Sequence, residues 1–305
     1  MRVFLTGATG FIGFAIVAEL QSAGHRVLGL ARSDAGARAL MAAGAEVHRG
    51  NLEEPETLRS GAAQSDAVIH CAFDHSAFGN DFSKFVEVCG KDRRAIEALG
   101  DALRGSDRPL VITSGTGMGN AVPGKPATED YFDASHGHPR KASEIAGAVV
   151  AERGVNVSVV RLPQVHDAVK QGLISYVVRA AREKGASAYI GEGLNRWPAA
   201  HVLDVAHLYR LALEKHEAGS RYNAVAEEGV SMQEIAEVIG RGLNVPVVSL
   251  SQEEAQAHFG WLAMFAGVDM PASSALTRQR LGWRPTRPRL IADLEQMRWV
   301  EVLTQ

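Results

Sequence analysis

The stretch TGATGFIG, residues 6–13, decides the fold. It joins an apolar strand, Val3 to Leu5, to an amphipathic helix whose buried face is carried by Ile12, Ile16, Val17 and Leu20. A second apolar strand, Arg26 to Leu30, follows in step. Strand, spaced glycines and helix in that order make a dinucleotide cradle. Gly7 permits the tight turn, Gly10 lets the backbone approach a pyrophosphate, and Gly13 lets the helix lie close on the sheet. The helix N-terminus then presents unpaired amide groups to the phosphates.

Outward from the cradle, strands are predicted at Arg2 to Thr6, Arg26 to Ala31, Glu46 to Arg49, Asp66 to Ala72, Pro109 to Ser114 and Asn156 to Leu162, with helical stretches between them. This alternation specifies a parallel sheet wrapped on both faces. The nearly continuous apolar runs VFL, VLGL, AVIHCA and LVIT fit strands buried on both sides. The expected fold is α/β: a doubly wound parallel Rossmann sheet with a smaller, mainly helical C-terminal substrate domain. Residues 1–167 are expected to form the dinucleotide-binding domain, with 201–226 returning to it. Residues 168–200 and 227–305 make the substrate-binding part and helical tail. In that tail Ser231 with Glu234, and Ser251 with Glu254, have capping-box spacing.

With 305 residues and 46% hydrophobic content, the chain can bury one large core or two unequal ones. The net charge of −3 is spread over interspersed acids and bases, so neither a nucleic acid nor a membrane surface is expected as a partner. No apolar run reaches spanning length, and the N-terminus enters the first strand without a signal-peptide pattern, so a cytoplasmic location is expected. Cys71 and Cys89, one in a predicted strand and one in a predicted helix, suit packing in a reducing compartment. No histidine spacing reads as a metal site, and no internal repeat is present.

The GxxGxxG spacing at the N-terminus resembles that of the extended short-chain dehydrogenase/reductase family, also called the NAD-dependent epimerase/dehydratase family. The likeness runs along nearly the whole chain and is weakest after Glu227. It implies cofactor contacts from Gly7, Thr9, Gly10, Phe11, Ile12 and Gly13, and a homodimer built on the helices at Asn80 to Arg104 and Pro139 to Glu152. Cys71, Ala72 and Phe73 resemble the small-residue turn over which the cofactor ribose passes. Pro163 and Val165, after Arg161, resemble the segment beside the nicotinamide. Asn51 and Leu52 stand near the expected adenine, where the family usually has an aspartate and an apolar residue. His201 to Asp204 resembles a stretch whose aspartate caps the helix Val205 to Lys215, and Leu281, Gly282, Trp283 and Pro285 resemble the ending of a late helix.

Strand two ends in Ala31, Arg32 and Ser33, close to where an NAD-preferring fold places an acid on the adenosine ribose. The Arg32 guanidinium can instead pair with a 2′-phosphate or stack on adenine, and Ser33 offers a hydroxyl to the same phosphate. NADP is therefore favoured over NAD. His70 reads as a core histidine. Asp74, His75, Phe78 and Asp81 either roof the nicotinamide end or form a plain loop, and Asn195, Arg196 and Trp197 either line a pocket or pack between domains.

After strand five the family offers a serine or threonine, then a tyrosine four residues before a lysine. Here the strand ends in Thr113, Ser114, Gly115 and Thr116, so Ser114 or Thr116 is the candidate hydroxyl. Aligning HGHPRKASE on Glu144 puts Arg140 at the lysine and His136 at the tyrosine; the other register puts Lys141 and Gly137 there. Neither register contains the tyrosine. Reduction of a carbonyl leaves an alkoxide that must be stabilised and protonated. Arg140 can hold ribose hydroxyls and stabilise an oxyanion, but its fixed charge makes it no proton donor. Histidine exchanges protons near neutral pH, so His136 is the first candidate acid, with His138 and Tyr131 behind it. The expected function is an NADP-dependent oxidoreductase acting on a small carbonyl or alcohol compound. The alternatives are a nucleotide-sugar epimerase or dehydratase, and a catalytically silent NADP-binding redox sensor.

Overall fold

A computed structural model describes residues 1–75, 82–297 and 299. Among these residues a seven-stranded parallel sheet is formed by β1 (Arg2–Thr6), β2 (Arg26–Ala31), β3 (Glu46–Arg49), β4 (Ala67–His70), β5 (Pro109–Gly115), β6 (Asn156–Leu162) and β10 (Arg221–Asn223). Their spatial order is β10-β6-β5-β4-β1-β2-β3. The order reverses beside β1, which leaves the crevice of a doubly wound sheet at the C-terminal ends of β1 and β4.

Period-two alternation divides these strands between two cores. Val3 and Leu5 of β1, Ile69 of β4 and Val111 of β5 join the core that holds α1 (Phe11–Ser22), α2 (Asp34–Ala42) and α7 (Val202–Lys215). Phe4, Val68, Leu110 and Ile112 face the opposite core with α3 (Pro55–Ala63), α4 (Phe85–Leu103) and α5 (Lys141–Glu152). Both sheet faces are thus covered, which is why the strands read as unbroken apolar runs. The expected helix from Asn80 is observed as a 3-10 turn at Phe82–Lys84 leading into α4, residues 76–81 lying outside the described residues.

A third core belongs to the C-terminal half. It gathers α6 (Ile174–Lys184), α8 (Met232–Leu243), α9 (Gln252–Phe259), α10 (Ala263–Ala266) and α12 (Leu290–Glu295) around a parallel pair, β8 (Ser187–Ile190) with β12 (Val247–Leu250). A three-stranded sheet of β7 (Gln164–His166), β9 (Arg196–His201) and β11 (Glu227–Ser231) adjoins it. The strands at β9, β11 and β12 carry no alternating pattern long enough to announce them. Both capping boxes form, at Ser231 with Glu234 and Ser251 with Glu254. The helix α11 (Ala275–Leu281) ends on Gly282 in the left-handed region, and Trp283 turns inward, fully buried, with its indole N–H donated to the Asp204 carbonyl at 3.0 Å. No described helix is long and apolar enough to cross a membrane.

Candidate active site

The cradle is a matter of backbone. Gly7 has φ +74°, and a Cβ there would lie 2.7 Å from the Ala72 amide nitrogen, so the turn after β1 rests on the turn after β4. A Cβ on Gly13 would fall on the Gly7 carbonyl. Gly10 is exposed and caps α1 without a side chain, and Phe14 N–H is bonded to the Gly10 carbonyl at 2.8 Å. The preceding amides of Phe11, Ile12 and Gly13 have no helical acceptor, which suits an anion at this end. Thr9 is exposed beside them, while Phe11 and Ile12 lean half-buried on the main core. A dinucleotide phosphate fits this opening.

At the adenosine end a cavity of about 280 Å³ is lined by Ala31, Arg32, Arg49, Gly50, Asn51 and Glu54. Arg32 is exposed and makes no hydrogen bond or ion pair among the described residues. Ser33 is the N-cap of α2, its Oγ accepting from Gly36 N–H at 3.1 Å, so only its own proton is left for a ligand. Arg49 donates to the Ser33 carbonyl at 2.7 Å and pairs with Asp34, tying up the carboxylate nearest the end of β2. Asn51 lines this cavity and closes the turn into α3: its Oδ1 accepts from Glu53 N–H and its Nδ2 donates to Glu54. Leu52 packs half-buried on the core beneath.

At the C-terminal end of β5 stands Arg140, at the start of α5. Its guanidinium donates to the Thr113 carbonyl at 3.0 Å and to Asp92 Oδ2 at 2.7 Å, also contacts Ser143 Oγ, and lies 4.0 Å from the centre of the Phe73 ring. Asp92 is 2% exposed on the inner face of α4. Its Oδ2 accepts from Ser143 at 2.5 Å, and its Oδ1 accepts from His70 Nε2 at 3.1 Å. His70 in turn faces Thr6 Oγ1 through Nδ1 at 2.7 Å. The consistent proton assignment has Thr6 O–H donating to Nδ1 and His70 N–H donating to the carboxylate. Burial pushes the Asp92 carboxyl up, but the Arg140 charge and the His70 hydrogen bond outweigh it and hold the pKa at about 2. Asp92 is thus an anion throughout the working range of pH.

Beside this group Thr113 Oγ1 donates to the His70 carbonyl and accepts from Tyr209 O–H, both at 2.7 Å. Tyr209 is fully buried, and burial raises its pKa well above the usual value, so its hydroxyl serves the packing of the strand ends. Burial pushes the Cys71 thiol up to about 11, which leaves it inert, next to half-buried Ala72 and Phe73. Ser114 is 3% exposed and its Oγ has no hydrogen-bond partner among the described residues, a polar atom that a ligand would satisfy. Thr116 is also buried, in a 3-10 turn.

His136 is half-buried in the loop before α5, and its Nδ1 accepts from His138 N–H at 3.0 Å. In the neutral ring the proton therefore sits on Nε2, the outward nitrogen. His138 accepts from Arg140 N–H in the same way, and burial together with the His136 and Arg140 charges pushes its pKa down to about 4. It is neutral at pH 7 and so a poor acid. Tyr131 offers its carbonyl to Arg161, and Lys141 lies on α5 itself. His138 also joins the lobes: its ring stands edge-on to Phe85 at 5.6 Å and to Phe265 at 6.3 Å. Asp74 pairs with Lys91, and burial lowers His75, whose ring meets Phe73. Phe78 and Asp81 lie outside the described residues.

Several residues singled out in the sequence are packed into the fold. Arg161 is fully buried, held by both oxygens of Glu144 at 2.8 and 2.9 Å and by the carbonyls of Thr128 and Tyr131. Val165 is buried in the main core, and Pro163 is half-buried between β6 and β7. Trp197 lies in the C-terminal core, Asn195 donates to the Ala266 carbonyl, and Arg196 pairs with Asp269. Asp204 does not cap its helix, which begins at Val202 with His201 as the cap. Its carboxylate accepts the amides of Thr286 and Arg287 and so fastens the chain after Trp283. Sequence reading missed Asp92, Ser143, Arg49 and Tyr209. Asp92 had a signal: it interrupts the apolar stripe of Phe85, Val88, Cys89, Ala95, Ile96 and Leu99 on α4.

The family model described as the NAD dependent epimerase/dehydratase family matches residues 3–225. An uncharacterized protein of Schizosaccharomyces pombe is 49% identical over 295 residues, covering 96% of this chain and 98% of that protein. An uncharacterized protein of Saccharomyces cerevisiae is 41% identical over 298 residues, with 96% and 98% covered. Among solved structures, the dTDP-glucose 4,6-dehydratase DesIV of Streptomyces venezuelae, with NAD and TYD bound, superposes with a TM-score of 0.77 at 18% identity, covering 99% of this chain and 97% of that one. Glycine cradle, sheet order and relatives agree that this chain belongs to the NAD dependent epimerase/dehydratase family.

Proposed function

We propose that the protein is an NADP-dependent oxidoreductase that interconverts a small carbonyl compound and its alcohol, with His136 and Arg140 in place of the family's tyrosine and lysine. The observation that carries this reading is the seating of Arg140 on the Thr113 carbonyl, next to the unpartnered Ser114 hydroxyl. A fixed positive charge and a hydroxyl at one strand end can stabilise a developing alkoxide. In its acid form His136 carries a proton on each ring nitrogen, which requires Nδ1 to leave the His138 N–H; it then delivers the Nε2 proton and returns to the neutral ring, while His138 stays neutral. Bound NADPH supplies the reducing equivalent. Selection of NADP rests on exposed Arg32 at a cavity whose nearest acid, Asp34, is taken by Arg49. A homodimer through the outer faces of α4 and α5 belongs to the same reading.

NADPH consumption against a broad carbonyl panel tests it. His136→Gln should lower turnover ~100- to 10000-fold while leaving NADPH affinity unchanged. A wild-type rate in that variant would sink the assignment of the acid. If NADPH binds but no carbonyl is turned over, the sensor reading takes its place, and turnover of nucleotide sugars with NAD in preference to NADP would favour the epimerase or dehydratase.

A further inference from the structure

The buried group around Arg140 holds more than an oxyanion site needs. Arg140 is held at three places: the Thr113 carbonyl, Ser143 and Asp92. Asp92 is the member that joins the rest, because its second oxygen is taken by His70, which is anchored on Thr6. Thr6 immediately precedes Gly7, and its Oγ1 also accepts the Ala72 amide at 3.3 Å. A chain of hydrogen bonds therefore runs from the first residue of the phosphate cradle, through β4 and α4, to the guanidinium at the head of α5. Every link is 3.3 Å or shorter.

We propose that Asp92 is a positioning residue for the cofactor: with His70 behind it, it holds Arg140 in the orientation that grips the nicotinamide-side ribose, in register with the phosphate cradle. The inference rests on the NADP reading above. Its physical basis is that a guanidinium is a planar fork whose hydrogen bonds have fixed directions, so its orientation decides which hydroxyls it reaches. Arg140 has several rotatable bonds of its own and stands in an irregular loop-to-helix junction. The carboxylate turns that flexible cation into a directed one, at the cost of burying an acid on α4. An apolar residue would pack the α4 stripe better, so a purely architectural role does not account for the choice of aspartate.

The two ends of the cofactor separate positioning from general damage. NADPH reaches Arg140, whereas 2′,5′-ADP carries only the adenosine end, with its 2′-phosphate by Arg32 and its 5′-phosphate at the glycine cradle. Dissociation constants for both are measured by fluorescence titration and calorimetry on the full chain. Asp92→Asn should weaken NADPH binding roughly 10- to 100-fold, the range of a lost charge-assisted bond, and leave 2′,5′-ADP affinity within about twofold. Adding Asp92→Asn to Arg140→Gln should weaken NADPH no further than Arg140→Gln alone. If Asp92→Asn does not fold, His70 supplies the test. His70→Gln, which keeps a donor toward Asp92, should retain NADPH affinity, and His70→Asn, which keeps only the Thr6 side, should lose it. Equal loss of both ligands in a folded Asp92→Asn, or no loss of either, overturns the inference, as does additivity with Arg140→Gln. Wild type that binds neither ligand overturns the NADP reading itself; wild type that binds both while Asp92→Asn and His70→Asn keep full NADPH affinity overturns only the positioning role.

Discussion

The glycine cradle and the Arg140 group stand at the two ends of the same crevice and are built by opposite means. The cradle is made of eight consecutive residues whose backbone does the work, and its demands are steric: no Cβ at Gly13, none at Gly7. The Arg140 group is made of side chains from β1, β4, α4 and α5 with one backbone carbonyl of β5, and its demands are electrostatic. Backbone chemistry tolerates almost no substitution because a side chain would meet backbone atoms that cannot move. Side-chain chemistry tolerates replacement of a whole pair better than of one member, because removing one partner leaves the other charge buried and unpaired.

The largest effect should come at the cradle. Gly10→Val places a branched side chain where phosphate must meet backbone, and dinucleotide affinity should fall beyond detection while circular dichroism stays native, since Gly10 is exposed and its Cβ would meet only the Gly7 carbonyl, at 3.2 Å. Retained affinity would show that the cradle has another use. Next in size is the second ion pair on α5. Glu144 and Arg161 are both fully buried, and Arg221 adds a further bond at 2.8 Å, so Glu144→Gln should cost about 3–5 kcal/mol in urea unfolding. A loss below about 1 kcal/mol would remove the contrast drawn above between steric and electrostatic demands.

Two smaller effects sharpen the comparison. Arg32→Ala should cost ~10- to 100-fold in NADPH affinity and leave NADH nearly unchanged, by calorimetry. Equal losses for the two cofactors would assign Arg32 to adenine stacking instead. Asp92 gives the smallest expected effect and a pH signature. Its folded pKa is about 2 against an ordinary 3.8, so its contribution to stability, about 2 kcal/mol by linkage, is fully present above pH 3.8 and lost as pH falls toward 2. Urea midpoints from pH 5 to 2 should fall more steeply in wild type than in Asp92→Asn. Parallel slopes would mean that Arg140 and His70, the groups facing this carboxylate, do not favour its charge.

Legibility followed the same division. The strands at Arg2–Thr6, Arg26–Ala31 and Asn156–Leu162 fall where the apolar runs place them, because burial on both faces writes itself into consecutive residues. Capping boxes were equally plain, being interactions three residues apart. The Asx turn at Asn51 was not legible, because it needs the position of Glu54 as well as the asparagine. Asp204 was misread for a similar reason. A carboxylate in a helix's first turn suggests capping, whereas here it reaches Thr286 and Arg287, 82 and 83 residues away.

What the sequence determined by itself is the doubly wound sheet and the glycine turn into α1, because both follow from local rules: side-chain period and glycine sterics. Which carboxylate holds each arginine was decided by tertiary structure alone. Arg140 and Arg161 are both cations close to the expected nicotinamide end, yet Glu144 captures one for the core while Asp92 turns the other toward Thr113. Alignment sets Arg140 at the lysine position, but nothing in the neighbouring residues names the counter-ion of either arginine. The distinction lies in which carboxylate the packing of α4 and α5 brings within about 3 Å, and a buried charge goes where its counter-ion is.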